Sequence, residues 1–99
     1  MPFGGESAES YYDEGLTLGM KGELGRAAQC FEKAVRLDNS YSAAYHQLGK
    51  VYLRMGDAQR AIELISQVVK KKPAQAAARL DLGYALLAAG HTHEAQKEF

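Results

Sequence analysis

The sequence predicts an all-α fold, an α-α superhelix in which antiparallel helix pairs stack into a solenoid of about two and a half to three repeats. Three observations predict it. Between Tyr45 and Pro73, apolar residues recur at helical spacing in two successive runs divided by Gly56. That pattern returns on both sides at one step of 34 residues: Gly15, Gly49 and Gly83 keep it (49−15 and 83−49), as do Gly22, Gly56 and Gly90. No strand is predicted, so the glycines read as turns and packing notches.

Residues 1–7 contain Pro2, Gly4 and Gly5 without periodicity and read as a flexible lead-in, with Ser7 as the cap of the first helix. The first repeat, 8–41, is the weakest. Gly19 and Gly25 interrupt its helices, and Glu14 stands in the column that Leu48 and Leu82 occupy later, so this end is expected to fray.

The second repeat, 42–75, is the most complete. Tyr45, Leu48, Gly49 and Tyr52 fall at i, i+3, i+4 and i+7 and form one stripe of a helix. Gly56 is free to take the left-handed conformation that ends this helix, and the Asp57 carboxylate is placed to cap the next. Ala58, Ala61, Ile62, Ile65, Val68 and Val69 then make a second apolar face, which stops before Pro73. The third repeat, 76–99, keeps Leu82, Gly83, Leu86, Gly90 and Ala95, while Arg79 replaces the aromatic residue of Tyr11 and Tyr45.

The columns have a physical reason. Glycine inside a helix costs about 1 kcal/mol relative to alanine, so Gly15, Gly49 and Gly83 predict another helix passing too close for a Cβ. Ala27, Ala61 and Ala95 would face them from the second helices, with Phe31, Ile65 and Phe99 filling the space alongside. The aromatic, Leu-Gly, Tyr, Ala, Phe and Pro positions, from about Ala8 to Phe99, resemble the signature of the tetratricopeptide repeat family.

Composition bounds the chemistry. With 99 residues, 46% hydrophobic and 24% charged, the chain suits one small domain, and its net charge of zero argues against nucleic acid as a partner. No apolar run is long enough for a signal core or a membrane span. A single cysteine excludes an internal disulfide and points to a reducing, cytoplasmic setting. Cys30 lacks a CxxC partner and reads as an inert thiol. His91 and His93 lack metal spacing, and Lys70 to Lys72 read as a solvated helix end. No catalytic residues, cofactor or metal ligands are expected.

The resemblance implies a binding role in place of catalysis. In such proteins the first helices of each pair line a concave groove, and the residues facing it here would be Tyr12, Leu16 and Met20, then His46, Lys50, Leu53 and Arg54, then Leu80, Tyr84 and Leu87. Tyr12, Leu16, His46, Lys50, Leu53, Arg54, Leu80 and Tyr84 are the expected peptide site. Its middle would be basic and its flanks apolar, suiting an acidic protein or peptide with apolar anchors, either extended or as a partner helix. Members that hold a chaperone's C-terminal carboxylate use Lys and Asn, then Asn, then Lys and Arg. The matching residues here are Tyr12, Leu16, Gln47, Ala77 and Asp81, so that clamp is absent and the chaperone tail is not the expected ligand.

The alternative is a structural segment of a longer solenoid, or of a multidomain protein whose working site lies outside this fragment. The pattern stops at Phe99, before the second helix of the third repeat is complete. An open apolar surface around Leu82, Leu86 and Phe99 is therefore expected to support weak self-association.

Overall fold

The computed structural model describes residues 7–90 and 97–98. Within residues 7–90, five helices follow in order: α1 (Ala8–Met20), α2 (Leu24–Leu37), α3 (Ser42–Arg54), α4 (Ala58–Lys71) and α5 (Ala76–Ala88). Every regular element among the described residues is a helix, and the structure is a helical solenoid. The starts of α1, α3 and α5 lie 34 residues apart (42−8 and 76−42).

Local chemistry sets the boundaries. The Ser7 hydroxyl accepts from the Ser10 amide at 3.1 Å, and the Ser10 hydroxyl accepts from the Ser7 amide at 3.1 Å, closing a reciprocal box at the start of α1. Asp57 caps α4 by accepting from the Arg60 amide at 3.1 Å. Gly22, Gly56 and Gly90 all have positive φ, at 81°, 87° and 85°. After the first of these turns the Glu23 amide returns to the Leu18 carbonyl at 2.9 Å, and after the second the Asp57 amide returns to Tyr52 at 2.8 Å. These bonds satisfy carbonyls that a helix end would otherwise leave unpaired. Between pairs, Asp38 accepts from both the hydroxyl and the amide of Ser40, which together hold its carboxyl below the usual range.

The notches are real at the two positions where both partners are described. A Cβ on Gly15 would lie 2.7 Å from the Phe31 ring, and one on Gly49 would lie 2.5 Å from Ile65 Cγ1. Phe31 and Ile65 are among the largest fully buried side chains, and Ala27 and Ala61 beside them are wholly buried. Ala95 and Phe99 lie outside the described residues, as do His91 and His93.

The third pair departs from expectation. Leu82 and Leu86 are only 6% exposed and belong to the same core as Leu48, Ile65 and Val68. Leu82 and Leu86 themselves are therefore covered, while Phe99, the third residue of the surface expected to stay open, lies outside the described residues. The large apolar residues that α5 does expose are Leu80, Tyr84 and Leu87, on another face.

Each helix packs mainly on the next in sequence, with lighter contact between α1 and α3 and between α3 and α5. The result is elongated, 51 × 26 × 17 Å.

Candidate functional site

The first helices of the pairs, α1, α3 and α5, are joined directly by two polar contacts between residues 35 apart (54−19 and 81−46). Arg54 Nη1 donates to the Gly19 carbonyl at 3.2 Å, tying α3 to α1. His46 Nε2 lies 2.7 Å from Asp81 Oδ2, tying α3 to α5. An ionised carboxylate only accepts, so Nε2 carries the proton. The repeat register then defines columns running across the three helices: Tyr12, His46 and Leu80; Leu16, Lys50 and Tyr84; Gly19, Leu53 and Leu87.

The expected site residues divide into two groups. Tyr12, Leu16 and Leu53 are half-buried and pack on the core. The Tyr12 ring is stacked on Tyr41 at 5.1 Å between centroids and meets Phe31 edge-on at 5.7 Å, so much of its surface serves the junction of α1, α2 and α3. Lys50, Arg54, Leu80 and Tyr84 are exposed, as are the flanking Met20 and Leu87.

His46 does not fit the solvent-facing basic stripe expected from its i, i+4 spacing with Lys50 and Arg54. It is 8% exposed, and the exposure of the paired side chains is 10% for His46 and 22% for Asp81. Periodicity within α3 could not reveal this, because the deciding partner comes from α5. A signal was present in the repeat itself: residues 35 apart meet on adjacent first helices, and both contacts obey that offset. The cationic centre is thereby reduced to Lys50 and Arg54.

These two cations border a cleft of about 150 Å³ between α1 and α3, whose apolar lining includes Leu16, Met20 and the bare backbone of Gly15 and Gly19. Asp81, one helix further on, has its Oδ2 turned to His46. Arrayed across the face are therefore an apolar wall, a cationic middle and an exposed apolar stripe, Leu80, Tyr84 and Leu87. Among the described residues of this face, no nucleophile stands beside a base.

Elsewhere Tyr52 and Cys30 have structural surroundings that account for them. The Tyr52 hydroxyl donates to Glu32 across the α2–α3 junction, with Arg60 lying 5.3 Å from the ring centre. That hydrogen bond, followed by burial, pushes the Tyr52 pKa above its ordinary value. Cys30 is buried; desolvation first and Glu14 second push its thiol pKa up, away from reactivity. Among the described residues, no group of three His, Cys, Asp or Glu side chains could hold a metal ion, and no helix is long and apolar enough to cross a membrane.

Comparison with known proteins follows the same register. One family model, described as tetratricopeptide repeat, matches residues 46–96, and a second, described as TPR repeat, matches residues 11–56. Over 91 residues the chain is 33% identical to DnaJ homolog subfamily C member 3 of Homo sapiens, covering 92% of this chain and 18% of that protein. The Gallus gallus counterpart is 34% identical over the same length and shares. The chain thus spans less than a fifth of these curated relatives. Among solved structures, a crystal structure of MamA superposes with a TM-score of 0.89 at 35% identity, covering 95% of this chain and 55% of that one. The second TPR of Spaghetti (RPAP3), bound to the HSP90 peptide SRMEEVD, superposes at 0.90 with 21% identity, covering 95% and 87%; that likeness is one of fold.

Proposed function

The chain belongs to the tetratricopeptide repeat family, a fold of protein-interaction modules, and from that premise we propose that the face formed by α1, α3 and α5 binds a peptide or partner segment. One observation carries the reading: the exposed cations Lys50 and Arg54 stand between the apolar cleft on α1 and the exposed stripe Leu80, Tyr84 and Leu87 on α5. The proposed ligand is an acidic segment with apolar anchors, in a reducing, cytoplasmic setting, with no cofactor and no catalysis. A chaperone's C-terminal carboxylate is disfavoured, because Asp81 supplies a negative charge where such a clamp needs a cation.

The test is selection of random short peptides on the protein, with counter-selection on a Lys50→Glu, Tyr84→Ala double variant whose circular dichroism is unchanged. Sequences that enrich on the parent and are lost on the variant support the reading. If every enriched sequence binds both proteins equally, the groove is not the site.

A second reading has its own support. The chain spans only 18% of the DnaJ-related proteins and 55% of MamA, so it could serve as a stacking segment of a longer array whose working surface lies elsewhere. The two are separated by thiol labelling of Lys50→Cys in the full-length parent. Protection in the absence of any ligand favours the stacking role, and rapid labelling favours the open groove.

A further inference from the structure

The column Leu16, Lys50 and Tyr84 fixes more than the chemistry of the ligand; it also constrains its conformation. This inference rests on the groove reading above. The three residues occupy the same register on three successive first helices, each in contact with the next, so the step between them follows from the interaxial distance of packed helices, about 8–10 Å. A ligand crossing the column must present an apolar, an acidic and an apolar side chain on one side at that repeat.

Three peptide conformations can be compared with this ruler. A β-strand advances about 3.3 Å per residue but alternates its faces, so positions three apart point to opposite sides and positions two apart fall short at roughly 6.6 Å. An α-helix rises about 1.5 Å per residue and returns to the same face at this distance only after about seven residues. Polyproline II has three residues per turn and a rise of about 3.1 Å, which returns the side chain to the same face after roughly 9.3 Å. Only the last matches both distance and facing within a short segment.

We infer that the groove selects a segment in the polyproline II conformation carrying an acidic side chain with an apolar side chain three residues before it and another three residues after it. The acidic group pairs with Lys50, with Arg54 one turn along α3 reinforcing the field. The flanking apolar groups meet Leu16 at the cleft on one side and the half-exposed Tyr84 ring on the other. The His46–Asp81 contact sharpens the preference. It takes the His46 ring out of the exposed face and puts a carboxylate on α5, so a second acidic residue over α5 is disfavoured and an apolar one is favoured.

The test uses fluorescein-labelled synthetic peptides, acetylated and amidated so that no terminal charge contributes. Proline fills the intervening positions in one series and alanine in another. The leucine-to-glutamate spacing is set at two, three, four or seven residues, symmetrically on both sides. Anisotropy should show tightest binding at three, with the proline series above the alanine series because less conformational entropy is lost. Replacing the glutamate by glutamine should weaken binding roughly fivefold, the upper end for an exposed ion pair, and the same loss should be absent in Lys50→Gln.

Tightest binding at seven, or in the alanine series, would overturn the inference in favour of a helical ligand. Equal binding at all spacings would overturn it as well. These results differ from failure of the groove reading, in which no spacing responds to the Lys50→Glu, Tyr84→Ala variant.

Discussion

Gly49 has no room for a side chain. The 2.5 Å approach to Ile65 Cγ1 is shorter than any real Cβ contact, and Ile65 is itself fully buried and unable to withdraw. Gly49→Leu should therefore lower stability by about 1–3 kcal/mol, read as a fall in the melting temperature. Gly25 is the contrast. It lies in α2 with nothing within 4 Å of an added Cβ and without positive φ, so Gly25→Ala should raise stability by about 0.4–1 kcal/mol in the same measurement. Tyr52 supplies a prediction in pH. Its folded pKa is raised by the bond to Glu32 and by burial, so its contribution is complete below the unfolded value of about 10 and is lost as pH rises through the folded one. Denaturant midpoints of Tyr52→Phe should thus fall less steeply than those of the parent on the alkaline side. Much of this was legible in the sequence, because a glycine kept at a helix-interior column despite its cost has to be explained by a close approach. His46 was not, since a single helix's periodicity names a face without naming the residue that faces it.

At the scale of the element, the turn after each first helix is the recurring device. Gly22, Gly56 and Gly90 take nearly the same positive φ, and open space surrounds each, so conformation alone requires glycine there. Gly56→Ala should cost about 1–2 kcal/mol, the penalty of placing an L-residue in the left-handed region, with the helical spectrum below the transition unchanged. A melting temperature equal to the parent's would show that the turn relaxes at no cost. Three of the turn's features were written in the sequence: the glycine, the Asp57 cap and the 34-residue step. The exposed face of α5 was harder to place. Leu80, Leu82, Tyr84, Leu86 and Leu87 crowd little more than two turns, so apolar residues surround most of that helix and no sharp stripe singles out the side that packs. Tertiary packing resolves it by burying Leu82 and Leu86 in the common core.

Across the whole molecule, the contacts form a row. α1 packs on α2, α2 on α3, α3 on α4 and α4 on α5, and the two ties at Arg54 and His46 reach only one pair further. Among the described residues no contact joins the two ends of the 51 Å length, so the array behaves as a line of springs coupled end to end. A load applied between Ser7 and Gly90 passes through every interface in turn, and the weakest yields without waiting for the others. Each surrendered pair would release roughly 100 Å of extended chain, given about 3.3–3.6 Å per residue. Pulled in an optical trap, the protein should yield at low force, in steps of about that size that close again when the load is relaxed. A single abrupt opening of the entire chain would require a lock between distant helices, which a row of neighbours does not contain.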